Sequence, residues 1–271
     1  MDTIARRVAS AGRRARRFSA TTLLAMPLLV AQCQPACEPL PPPAPRVIEQ
    51  RQVGSSLQGR PITAYRLGTP GGKVVLAIGS IHGDEQAGIE IVEHIRDVAP
   101  IPADLDVWII PTINPDGNAV NSEGNAAGVD LNRNWPPDWA PIDCALVPQN
   151  CSGPGPLSEP ESQAVADFIL AIQPRVTVWY HAIGPVVDHA VQHGVANPGV
   201  LWAYAAAVGY PVFTVSCGTG GCTGNATQFG NAYIPGSSAF VVELATKAAG
   251  GMGAQGVLNH VNGVWAAAAA A

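Results

Sequence analysis

With 271 residues, 47% of them hydrophobic and only 13% charged, the chain can bury one substantial core, which excludes a natively disordered protein. Its charge is unevenly placed: Arg6, Arg7, Arg13, Arg14, Arg16 and Arg17 hold six of the 15 basic residues, so that beyond position 17 nine basic residues face 19 acidic ones. A body that acidic repels phosphate backbones, which argues against nucleic acid as a partner.

Chain order begins with a targeting signal. The arginines lead into an apolar run over 18–31, interrupted only by Ser, Thr and one Pro. Such a run is short for a bilayer-spanning helix and suits the hydrophobic region of an export signal. Residues 1–33 are therefore read as the leader of a secreted or cell-envelope bacterial protein. Val30-Ala31-Gln32-Cys33 resembles a lipoprotein cleavage site, with Gln32 where a small residue is expected. Lipidation of Cys33 and an uncleaved membrane anchor stand as alternatives to simple cleavage, and no other membrane contact is expected. Residues 34–46 are proline-rich and read as a semi-rigid tether, which leaves 47–271 as the folded domain, expected to be a monomer.

The six cysteines form three close pairs. Neither downstream pair has zinc-finger spacing, and an exported chain meets an oxidising compartment, so disulfides Cys144–Cys151 and Cys217–Cys222 are expected. Cys33 and Cys37, in or beside the leader, stay unassigned.

Four short apolar runs, 74–78, 107–110, 176–180 and 240–242, read as strands covered on both faces. Between them, 86–98 carries Ile89, Val92 and Ile95 at helical spacing. A further helix is signalled by Ser158-Glu159-Pro160-Glu161, with Ser158 as the expected cap and Ala164, Val165, Phe168, Ile169 and Ile172 as its apolar face. The terminal alanine run finishes a last helix or frays from it. Strands alternating with helices predict a single α/β domain: a mixed, mainly parallel twisted sheet with helices on both faces, whose ligands bind at the carboxyl ends of the strands.

Chemistry-bearing residues fall at those ends. After the first strand comes Gly79-Ser80-Ile81-His82-Gly83-Asp84-Glu85, where His82 and Glu85 can reach one metal ion; Zn²⁺ accepts imidazole and carboxylate together. His181 follows the third strand. Two His and one Glu leave a zinc position open, as in catalytic sites. His189, His193 and His260 are rivals that follow no buried strand, and His94 lies within a helix. Glu243, ending an otherwise apolar run, is the candidate base for an attacking water; a strand-end acid paired with a cation is its plainer reading. Asn114-Pro115-Asp116-Gly117 follows the second strand, and Gly128-Val129-Asp130-Leu131-Asn132-Arg133-Asn134 comes soon after. A planar guanidinium at Arg133 beside the amide of Asn132 suits a substrate carboxylate, although a structural Arg fits as well.

In order and spacing these motifs, together with Gly155-Pro156-Leu157-Ser158-Glu159-Pro160-Glu161, resemble the M14 zinc metallocarboxypeptidases over most of 47–258. The short body and the Trp179-Tyr180-His181 context resemble their murein peptide amidase branch. The resemblance implies one zinc on His82, Glu85 and His181, with Asp130 orienting His82. It implies Glu243 as general base and acid, and Asn132 with Arg133 on the substrate's terminal carboxylate. It also implies a cell-wall peptide substrate cut between γ-D-glutamate and diaminopimelate, and makes Tyr233 a candidate to close over substrate. One departure stands out: Glu123 occupies the position where the family carries an Arg that stabilises the oxyanion. That opens a second reading, a non-catalytic binder of peptidoglycan peptides, beside a third, a deacylase of small amino-acid conjugates.

Overall fold

The computed structural model describes residues 46–148, 150–188, 194–214 and 222–271. The leader, nearly all of the tether, Cys217, His189 and His193 lie outside the described residues. Eight strands form one sheet: β1 (Val47–Ser55), β2 (Pro61–Gly68), β3 (Lys73–Ile78), β4 (Leu105–Ile110), β5 (Val176–Ala182), β6 (Val186–Asp188), β7 (Val212–Phe213) and β8 (Ser238–Leu244). Their order is β1-β2-β4-β3-β5-β8-β6-β7, with β4, β3, β5 and β8 forming a central parallel block. The predicted strands are this block. β4 and β5 are buried at every position, which is why their sequences run apolar without alternation. The structure extends each predicted strand, so His181 lies inside β5 and not after it. The antiparallel β1–β2 edge and the short β6 and β7 were not anticipated; β1 and β2 carry polar residues, and β6 and β7 are too short for a continuous apolar signal.

Alternate residues of the strands point to two separate cores. On one face Val75, Val107, Val178, Tyr180, Phe240 and Val242 pack against α1 (Ala87–Asp97), α4 (Gly199–Val208) and α6 (Gly253–Ala270). On the other, Leu76, Trp108, Trp179 and Val241 meet α3 (Pro160–Ile172) and α5 (Ala226–Tyr233). The short α2 (Pro115–Val120) follows β4, capped by Asn114, whose Oδ1 accepts from Gly117 N at 2.9 Å. The α3 cap differs from expectation: Glu159 takes the N-cap position, and Ser158 Oγ instead donates to Glu159 Oε1 at 2.9 Å. The terminal alanines do complete α6. Cys144 and Cys151 are disulfide-bonded, and the backbone there is used: Asp130 N donates to Cys151 O at 2.9 Å.

Helix α1 crosses the sheet at very short range. A Cβ on Gly88 would stand 2.2 Å from Gly79 O and 2.4 Å from Tyr180 Cβ, so the interface admits no side chain there. Gly88→Ala is expected to destabilise the domain by about 1–3 kcal/mol through overpacking, seen as a fall in Tm of about 2–4 °C per kcal/mol for a body of this size. An unchanged Tm would show that α1 can shift away from the sheet at no cost.

Candidate metal centre

The loop leaving β3 is shaped by what lies against it. A Cβ on Gly83 would meet Gly117 C at 2.1 Å and Ser122 O at 2.4 Å, so only glycine lets the segment beside His82 pass α2. Ser80 Oγ donates to His82 O at 2.7 Å and Glu85 N donates to the same carbonyl at 3.1 Å, winding the loop so that His82 and Glu85 face one point. His181 arrives from the penultimate position of β5. All three side chains are buried. Glu85 Oε2 stands 3.1 Å from His82 Nδ1 and 3.3 Å from His181 Nδ1, and one donor atom from each residue falls within 4.8 Å of the others. Ligand atoms on a tetrahedral zinc with bonds of about 2.0–2.2 Å sit roughly 3.3–3.5 Å apart, so the spacing suits such an ion. Among the described residues buried His82 Nδ1 has no hydrogen-bond partner, as expected of a nitrogen aimed at a metal position.

Charge accumulates around this point. Burial would raise the Glu85 pKa, but the charge of His82 and the close approach of both imidazoles outweigh it and hold the carboxyl well below its ordinary range. Burial would lower the His82 pKa, yet Asp130 and Glu85 raise it well above the ordinary value. His82 Nε2 lies 3.0 Å from Asp130 Oδ1, which also accepts from Asn132 N at 2.7 Å. Asp130 is fully buried, and His82, Arg133 and that backbone N–H bring its pKa down against the effect of burial.

Asp130 caps a 3-10 turn, Leu131–Arg133, that presents the next two site residues. Asn132 Oδ1 accepts from Ala226 N at 3.0 Å, and Arg133 Nη1 donates to Asn225 Oδ1 at 3.2 Å, so both are tied to the start of α5. The guanidinium is buried, 3.8 Å from Asp130 Oδ2, and its Nε has no hydrogen-bond partner among the described residues. Gly224 lies against the Arg133 backbone, where a Cβ would be 2.3 Å from Arg133 O. Asn225 was not singled out from the sequence; its signal was the box made with Gln228, whose Oε1 accepts from Asn225 N at 3.1 Å.

Glu243 pairs in register with His181 across β5 and β8 and is the only partly exposed residue of β8. Burial pushes its carboxyl above the usual range, eased by His181 and reinforced by Glu85. Glu123 also reaches the centre: a carboxylate oxygen of Glu123 groups with donor atoms of His82 and Asp130 within 4.8 Å. Its pKa is raised by burial, which His82 counters and Asp130, Asp84 and Glu85 reinforce. Lys247, which sequence reasoning passed over, stands 2.8 Å from Asp84 Oδ2 and 3.4 Å from Glu85 Oε1. The rival His260 lies elsewhere, on α6, bonded through Nδ1 to Tyr204 OH at 2.8 Å. Tyr233 ends α5, half exposed and packed on Phe229.

A family model described as zinc carboxypeptidase matches residues 42–199, more than half of the chain. The match takes in His82, Glu85, Asp130, Arg133 and His181 and stops before Glu243. Bacteriocin BCN5 of Clostridium perfringens is 30% identical over 155 residues, covering 50% of this chain and 17% of that protein. Human carboxypeptidase O is 27% identical over 156 residues, covering 45% of this chain and 41% of that protein. The chain thus spans less than half the length of these curated relatives. Among solved structures, carboxypeptidase A from Helicoverpa armigera aligns with a TM-score of 0.69 at 21% identity, over 84% of this chain and 70% of that one. The murein-tripeptide amidase MpaA from Escherichia coli O157 aligns with a TM-score of 0.62 at 22% identity, over 83% and 96%. At such identities the likeness establishes the fold.

The bond from Asp130 to His82 fixes the ring that offers Nδ1. Asp130→Asn is expected to weaken zinc binding about 10–100-fold, measured by competition with a chromogenic chelator. Unchanged affinity would show that the Ser80–Glu85 loop alone holds the ring.

Proposed function

Since the chain belongs to the zinc carboxypeptidase family, we propose that it is an exported zinc peptidase or amidase that hydrolyses an amide bond next to a free carboxylate, in cell-wall peptides. The observation that carries this reading is the placing of a partly exposed Glu243 directly across from His181: a base beside the metal ligands has no evident use in a protein that only binds. Zinc held by His82, Glu85 and His181 would polarise the scissile carbonyl and activate water.

The remaining work falls to side chains. Glu243 takes a proton from the attacking water and delivers it to the leaving amine; a carboxyl whose pKa is lifted by burial is suited to both acts. Arg133, with a free Nε and a position beside Asn132, receives the substrate carboxylate through charge-assisted hydrogen bonds. Asp130 keeps His82 in place. The murein substrate is supported by the export signal and by the coverage of nearly the whole of MpaA by this fold.

Glu123 favours the second reading. A carboxylate beside the reacting centre opposes negative charge developing on the carbonyl oxygen, where loss of one donor costs about 3 kcal/mol. A binder that captures peptides through Arg133 without cutting them tolerates that charge; the deacylase of amino-acid conjugates would share the centre and differ in leaving group.

The decisive assay incubates the purified, disulfide-formed, zinc-supplemented protein with L-Ala-γ-D-Glu-diaminopimelate and follows diaminopimelate by mass spectrometry. Release is expected, reduced about 10²–10⁴-fold in Glu243→Gln. Tripeptide binding without release supports the binder, and turnover confined to acylated amino acids supports the deacylase. In the same assay Glu123→Arg is expected to raise turnover by about 10²-fold; a fall would mean that the native carboxylate takes part in the reaction.

A further inference from the structure

Glu123 is held at the centre by its backbone. Its carbonyl accepts from Gly83 N at 3.2 Å and from Asn114 Nδ2 at 3.1 Å, which fastens the residue to the chain just after His82. Its side chain, partly exposed, brings a carboxylate oxygen within 4.8 Å of donor atoms of His82 and Asp130. The neighbouring acids have partners. Asp84 and Glu85 share Lys247, at 2.8 and 3.4 Å, and Asp130 has Asn132 N at 2.7 Å and Arg133 at 3.8 Å. Among the described residues no hydrogen bond, lysine or arginine reaches the Glu123 carboxylate. A carboxylate withdrawn in part from water and left without a cation is costly, and a cation carried by a ligand removes that cost.

The same anion that opposes charge on a carbonyl oxygen attracts an ammonium. An α-nitrogen stands roughly 3 Å from the oxygen of its own carbonyl, so an acid near enough to disturb that oxygen can also bind an ammonium beside it. Arg133 offers the opposite charge from the other side of Asp130, and two residues of extended peptide span roughly 7 Å. Resting on the peptidase reading of this centre, we propose that Glu123 is a specificity-determining residue that binds a substrate ammonium on the acyl side of the scissile amide, so that the protein favours short zwitterionic peptides, ammonium toward Glu123 and carboxylate toward Arg133. Pairing has a second effect. An ammonium held against Glu123 cancels much of its field at the carbonyl oxygen, so a free amino group removes the obstruction that a blocked one meets. L-Ala-γ-D-Glu-diaminopimelate, whose glutamate nitrogen is acylated, forgoes this contact.

The test compares L-Ala-diaminopimelate with the same dipeptide acetylated at the alanine nitrogen, on the zinc-supplemented, disulfide-formed protein. Release of diaminopimelate is followed by mass spectrometry, and affinity is measured by calorimetry in a Glu243→Gln background that suppresses turnover. Taking the ratio of free to acetylated form within each variant cancels any change in zinc occupancy. The native chain is expected to favour the free form about 10–100-fold, as one charge-assisted contact allows. Glu123→Gln and Glu123→Ala, two neutral variants that guard against failure of either to fold, are expected to bring the ratio to about one. A ratio near one in the native chain, or a native ratio that survives in both variants, would overturn the proposal, as would failure of the free form to bind. Release from L-Ala-γ-D-Glu-diaminopimelate in that event would leave the peptidase reading standing and remove only the role of Glu123. Preferential binding of the free form, lost in both variants but with no release of diaminopimelate from any peptide, would uphold Glu123 as the ammonium site and remove the peptidase reading.

Discussion

The candidate site depends on the register between β5 and β8. His181 stands opposite Glu243 because Val178 stands opposite Phe240 and Trp179 opposite Val241, and those four residues are buried. Side chains alternate between faces along a strand, so a one-residue slip of β5 or β8 would move that strand's apolar residues to the other face and turn His181 or Glu243 away from its partner. Correct burial of the apolar residues therefore also sets the chemistry. His181 and Glu243 share the face of Trp179 and Val241, which is the face covered by α3 and α5. This is also where Arg133 meets Asn225 at the start of α5. The apolar packing and the polar site are two readings of one register.

That register concentrates negative charge in a poorly solvated place. Glu85, Asp130, Glu123 and Glu243 gather within or beside the centre, and among the described residues only Lys247 and Arg133 offer fixed positive charge nearby. Buried carboxylates are costly unless paired. Asp130 and Glu85 raise the His82 pKa against the effect of burial, because they favour positive charge at that ring. A divalent cation at the Nδ1 atoms would serve the same carboxylates, and its binding would release protons.

How much of this was legible in the sequence follows from which interactions leave local traces. The central strands were readable because full burial on both faces demands apolar β-branched runs, and the candidate metal group was readable because His82, Glu85 and His181 each lie at the end of such a run or just after it. Strand length was underestimated wherever a strand ends in functional polar residues, as β5 does at His181, since the apolar signal stops before the hydrogen bonding does. The cap of α3 was misplaced by one residue: Ser158 and Glu159 both have capping chemistry, and tertiary bonds decide between them. One of these runs from Glu159 N to Asn134 Oδ1 at 3.2 Å. Lys247 left no trace, because its place beside Asp84 and Glu85 depends on how the chain after β8 folds back over α1.

Glu123 is not an accident of a loose loop. Its carbonyl accepts from Gly83 N and from Asn114 Nδ2. Two residues on, Asn125 is fixed by bonds from Ala127 N and Val129 N to its Oδ1, and by its own Nδ2 donating to buried Glu159 at 2.7 Å. The same network that delivers Asp130 to His82 therefore holds the Glu123 carboxyl near that ring. So placed, its effect turns on protonation. As an anion it opposes charge developing on a carbonyl oxygen; as a neutral acid it becomes a hydrogen-bond donor to that oxygen. Burial and the neighbouring carboxylates favour the neutral form, while His82 opposes it. A cation beside His82 would add to that opposition, so Glu123 and the metal centre share one charge balance. The local anomaly and the metal centre cannot be understood separately.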